Sequence, residues 1–70
     1  MTYSEALKRF RKNYNLTQKQ VAASANIQTQ AYQVYEYGRD PAISVLNKIA
    51  DTYNVSLDYL VGRSDNPQRL

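Results

Sequence analysis

Apolar residues in this chain recur at helical spacing and nowhere sustain an alternation of period two, which restricts it to an all-α fold. Tyr3, Leu7, Phe10 and Tyr14 form one stripe of a first helix. Val21, Ala22 and Ala25 make the short apolar face of a second. Ile27, Ala31, Tyr32 and Tyr35 share one face of a third, which runs from about Gln28 to Tyr37 and turns Thr29, Gln30, Gln33 and Tyr37 the other way. Ile43, Leu46, Ile49, Ala50 and Tyr53 are the stripe of a fourth helix, and Leu57 to Val61 form a last short one.

Local signals mark the boundaries. Thr2 with Glu5, and Thr17 with Gln20, stand in the capping-box arrangement, and Leu16 and Val21 occupy the positions of a hydrophobic staple around the second start. Asn13 to Asn15 break the first pattern. Asn26 tolerates the left-handed conformation that a tight turn after the second helix needs. Gly38 suits the residue after the third helix. Asp40 reads as the cap of the fourth, with Pro41 at its first position. Asn54 closes that helix, Ser56 caps the fifth and Gly62 ends it. Residues 1–63 are expected to form one domain and residues 64–70, polar and containing Pro67, a flexible tail.

The chain has no cysteine and no histidine, so neither a disulfide nor an ordinary structural zinc site is available to it. A 70-residue domain must then close on apolar packing alone or with a second subunit. The same absences remove Cys nucleophiles and His bases. The six acids are scattered and no glycine-rich phosphate loop occurs, so the chain reads as no enzyme, with no cofactor, no metal and no evident small-molecule ligand. No apolar run approaches the ~18 residues of a membrane span and no signal-peptide pattern opens the chain, so a cytoplasmic protein is expected. The net charge of +3 divides unevenly: residues 1–39 carry six cations and two anions, +4, and residues 40–70 carry three cations and four anions, −1.

Two short helices joined by about four residues, the second polar on its outer face, have the helix-turn-helix arrangement. Such a unit needs a tolerant turn residue, here Asn26, and a small residue where the helices approach, here Ala22. Its second helix must bury one side and offer short polar groups on the other. An amide is one of the few side chains that serves adenine in bidentate fashion in the major groove. Gln28, Gln30 and Gln33 supply three amides, and Thr29 adds a hydroxyl and a methyl.

The ordered set Leu16-Thr17-Gln18-x-x-Val21-Ala22, Ile27, Tyr35-Glu36-x-Gly38, Pro41 and Leu46-x-x-Ile49-Ala50, followed by Asn54 to Arg63, resembles the Cro/phage-repressor class of helix-turn-helix proteins, the XRE family. The resemblance covers about residues 2–63. It implies a compact five-helix lambda-repressor-like domain, with the helix-turn-helix in helices two and three, that binds a palindromic operator in double-stranded DNA as a homodimer. Carried over by position, Thr29, Gln30 and Gln33 read bases, with Gln28 and Val34 adjacent. Thr17, Gln18, Tyr37 and Arg39 contact phosphate, and Arg11 and Glu36 form an ion pair between helices one and three. The chain departs from the family pattern at Ala25 and Asn26, at Gln28 in place of the usual Ser or Thr cap, and at Ala42 in place of the usual Ser.

Several residues admit a second reading. Lys8, Arg9, Arg11 and Lys12 suit a DNA-facing patch or a solvated helix face. Tyr37 suits a phosphate contact or plain exposure, and Val34 a thymine-methyl contact or an exposed apolar residue. Tyr32 and Tyr35 read as core, and Tyr3, Tyr14, Tyr53 and Tyr59 as packing or dimer contacts. The expected function is a sequence-specific DNA-binding transcriptional regulator, a repressor. The alternative is a protein-interaction module, such as an antitoxin or adaptor.

Overall fold

The structure, a computed structural model, describes residues 1–69. It contains five helices, α1 (Tyr3–Asn13), α2 (Gln18–Ser24), α3 (Thr29–Glu36), α4 (Ile43–Tyr53) and α5 (Leu57–Leu60), and no strand among the described residues. The all-α, five-helix expectation holds. Both capping boxes form. Thr2 Oγ1 accepts from the Glu5 amide at 3.1 Å and Glu5 Oε1 from the Thr2 amide at 2.8 Å. Thr17 Oγ1 accepts from the Gln20 amide at 3.0 Å and Gln20 Oε1 from the Thr17 amide at 2.8 Å. Ser56 Oγ caps α5 through the Tyr59 amide at 3.0 Å. Each box satisfies two backbone donors that a helix start otherwise leaves to water.

Three asparagines carry the chain through left-handed turns: Asn15 at φ 54°, Asn26 at φ 58° and Asn54 at φ 54°. α3 ends with Gly38 at φ 127°, after which the Arg39 amide donates to the Val34 carbonyl at 3.1 Å, the closing bond of a Schellman turn.

Leu7 and Phe10 of α1 meet Val21 and Ala22 of α2, Tyr32 of α3, Leu46 and Ile49 of α4, and Val55, Tyr59 and Leu60 in one buried cluster. Phe10 is its aromatic centre, with the Tyr14 ring 5.0 Å away and the Tyr53 ring 5.4 Å away. α3 packs on α1 and α2, α5 on α1 and α4, and α4 on α2. The core thus lies behind α3 and leaves that helix at the molecular surface.

Four expected positions differ. In α1 the buried stripe is Ala6, Leu7 and Phe10, while Tyr3 and Tyr14 lie at the exposed ends. Ala6 is needed inside because α1 comes close to the end of α5, where a Cβ on Gly62 would lie 3.3 Å from Ala6 Cβ. In α3, Ala31 is exposed: the helix is wedged along Tyr32 and Glu36, and the preceding residue points about 100° away. In α4, Val45 is buried and Ile43 is 70% exposed. Ile43 is the first residue of α4, and helical side chains lean toward the N-terminus, so it overhangs the core. Finally, α4 is capped by Ala42, not Asp40, and Pro41 precedes the helix instead of opening it. Ala42 is extended at φ −67°, ψ 144°, and its carbonyl accepts from the Val45 and Leu46 amides. Starting α4 at Pro41 would leave only Gly38 to Asp40 to cross from α3, and the proline ring is equally at home in an extended connection.

Arg9 resolves part of the basic cluster. Its guanidinium stacks 4.2 Å from the Tyr59 ring centre, donates to the Tyr59 and Ser64 carbonyls, each at 2.8 Å, and pairs with Asp65 at 2.8 Å. It therefore faces α5 and the residues that follow, not solvent. Beyond α5 the Pro67 carbonyl accepts from the Ser56 amide at 2.9 Å, and Arg69 pairs with Asp51 at 2.8 Å.

Candidate nucleic-acid interface

The α2–α3 unit is built by its own backbone. The Ala25 amide donates to the Val21 and Ala22 carbonyls, Asn26 turns left-handed, and the Ile27 amide returns to the Ala22 carbonyl at 3.0 Å. Ala22 is 1% exposed at the approach of the two helices, where a larger side chain would hold them apart. α3 begins at Thr29. Gln28 is its N-cap but makes no side-chain cap bond, so its amide is left for other partners.

At 3.6 residues per turn, Thr29, Gln33, Tyr37, Gln30 and Val34 span an arc of about 140°. Tyr32 and Glu36, the inward residues, adjoin the Thr29 edge of that arc, about 60° and 20° beyond it. The arc is uneven in depth. Gln30 is exposed, Thr29 and Gln33 are half-buried, Val34 is 39% exposed and Tyr37 is 79% exposed at the end of the helix. Arg39 is exposed just beyond. At the start of α2, Thr17 is exposed and Gln18 half-buried. The Thr17 oxygen is engaged by its capping box, yet the hydroxyl proton remains available to a phosphate oxygen.

Behind the arc lies a polar chain. Arg11 Nε donates to Glu36 Oε2 at 2.8 Å and Arg11 Nη2 to Glu36 Oε1 at 3.1 Å, a two-point pair between α1 and α3 in which the Glu36 side chain is 2% exposed. Gln18 Nε2 donates to Glu36 Oε1 at 3.2 Å, and Gln33 Nε2 donates to Gln18 Oε1 at 3.0 Å. Burial pushes the Glu36 carboxyl up, but the hydrogen bonds from Arg11 and Gln18 outweigh it and hold the group below the usual carboxylate range. The bond to Glu36 in turn raises Arg11. Burial, with Glu36 alongside, pushes the Tyr32 phenol well above its ordinary value, so it stays neutral.

Gln18, a phosphate contact by resemblance, has internal partners as well: its amide bridges the Arg11–Glu36 pair and Gln33. Neither this bridge nor the Arg9 clamp has a pattern in sequence, because each joins residues from different elements through groups common on any surface.

Of the six cations in residues 1–39, Arg9 and Arg11 are spent on internal partners. Lys8, Lys12, Lys19 and Arg39 make no ion pair among the described residues. Lys19 lies in the first turn of α2 and Arg39 follows α3, so the helix-turn-helix is flanked by positive charge. No helix is long and apolar enough to cross a membrane among the described residues.

Comparison with known proteins agrees with this geometry. The family model described as Helix-turn-helix matches residues 7–60. The chain is 42% identical over 65 residues to the uncharacterised HTH-type transcriptional regulator YqaE of Bacillus subtilis, covering 91% of this chain and 56% of that protein. It is 38% identical over 66 residues to the HTH-type transcriptional regulator ImmR of the same organism, covering 93% and 52%. It is 40% identical over a 73-residue alignment to the cryptic phage CTXphi transcriptional repressor RstR of Vibrio cholerae, covering 100% and 65%. The crystal structure of a transcriptional regulator from Listeria innocua matches with a TM-score of 0.76 at 31% identity, over 99% of this chain and 63% of that one. The chain thus spans between half and two thirds of the length of these relatives. With its α2–turn–α3 unit formed and the family match running from within α1 to the end of α5, the chain belongs to the helix-turn-helix family.

Proposed function

We propose that this chain binds a specific site in double-stranded DNA as part of a transcriptional regulator, a repressor, working in the cytoplasm on the nucleoid. The outward arc of α3 carries the proposal: Thr29, Gln30 and Gln33 project from a helix whose other side is locked to α1 and α2. In the major groove Gln30 and Gln33 read base edges, Thr29 and Val34 meet thymine methyls, and Gln28 lies at the rim. Thr17, Gln18, Tyr37 and Arg39 position the helix on the phosphates. Two copies on a palindrome would set their α3 helices one turn apart, ~34 Å. Relatives named as transcriptional regulators and a phage repressor support this reading.

The test is a salt titration of binding to selected and random duplexes. We expect non-specific binding to persist at ~50 mM salt, and affinity to fall steeply as salt rises. Arg39→Ala is expected to weaken binding alike on all duplexes and to lower the salt slope by about one. No affinity for any duplex at low salt would overturn the proposal in favour of the protein-interaction reading.

A further inference from the structure

The chain of hydrogen bonds behind α3 has a direction, and chemistry dictates it. A carboxylate only accepts, so Glu36 obliges Gln18 to present its NH2 group inward. Gln18 must then turn its carbonyl oxygen toward Gln33, and Gln33 must answer with an N–H. The Arg11 guanidinium, which keeps Glu36 charged, anchors the series. Gln33 is left with one N–H and its own carbonyl oxygen to offer outward.

We infer that Gln18 is a positioning residue that restricts Gln33 to adenine. The inference rests on the DNA-binding reading above. Adenine presents one acceptor, N7, and one donor, the N6 amino group, in the major groove; guanine presents two acceptors, N7 and O6. A glutamine with both N–H groups available can address either base. With one N–H committed to Gln18, Gln33 keeps the donor–acceptor pair that matches adenine and loses the second donor that guanine would use. The half-buried setting of both glutamines favours this arrangement, since an amide there profits from a fixed partner.

The experiment measures binding of the whole chain to duplexes carrying each of the four base pairs at every position of a selected site. The wild type, Gln18→Ala, Gln18→Leu, Gln33→Ala and the Gln18→Ala/Gln33→Ala double variant are compared, with melting curves to confirm folding. Gln33→Ala identifies the base pair in question. The wild type is expected to prefer adenine there. Both Gln18 variants are expected to lose roughly tenfold of the adenine-over-guanine preference, the order of one good bidentate contact. Preferences at other positions should stay as they were, and the double variant should discriminate no worse at that pair than Gln33→Ala alone. An unchanged adenine-over-guanine preference in both Gln18 variants, however much they weaken binding overall, or a wild-type preference for another base at that pair, or no pair whose preference Gln33→Ala alters, overturns the inference and leaves the DNA-binding reading intact. Failure of the wild type to bind any duplex removes that reading itself, and this inference with it.

Discussion

Single residues decide where this backbone turns. Asn26 holds φ 58° between α2 and α3, where most L-residues pay about 1–2 kcal/mol for the left-handed conformation and glycine pays nothing. Asn26→Gly should therefore leave the urea midpoint unchanged or slightly raised. Asn26→Val should lose about 1–2 kcal/mol in the same measurement; a neutral valine would contradict the account. This turn was legible from sequence because residue type and local conformation are directly linked. Arg9 was not legible. Its partners are the carbonyls of Tyr59 and Ser64 and the Asp65 carboxylate, more than 45 positions away, and a backbone carbonyl leaves no mark on sequence.

At the scale of elements, the reciprocal caps of α1 and α2 and the Ser56 cap of α5 stand where their residue types place them, because a cap bond spans three positions and depends on little else. The start of α4 differs because the connection from α3, not the preference of Asp40 and Pro41, sets it. Ala42 accordingly occupies an N-cap with no side chain to accept the free amides. Ala42→Ser should stabilise the domain by about 1 kcal/mol, seen as a higher thermal midpoint with an unchanged helical spectrum. Loss of stability on that change would show that the first turn of α4 is held in another way. The outer face of α3 was legible as an arc. The bonding within it was not: helical periodicity says which residues share a side, not which neighbouring amides pair.

For the whole molecule, the Arg11–Glu36 pair ties α1 to the back of α3 and so joins the core to the arc. Glu36 is held below the range it has in the unfolded chain. Its stabilising effect is thus complete above the unfolded pKa of about 4.3 and is lost as pH falls through the lower folded value. The melting temperature should drop on acidification through that window, and Glu36→Gln should flatten the drop. Some slope should survive, because Glu5, held low by the Thr2 backbone, titrates in the same direction. An unaltered acid profile in Glu36→Gln would separate the pair from stability. The charge asymmetry read from the sequence also changes meaning at this scale. Two of the six front cations serve the fold, which leaves base reading by amides a larger share of the proposed recognition. That central claim is met most directly by selecting bound duplexes from a random pool with the wild type and with Gln30→Ala. We expect a shared motif from which the variant loses preference at one base pair, with about 1–3 kcal/mol less affinity for the wild-type site. An identical motif from both proteins, or equal weakening on selected and random DNA, would contradict it.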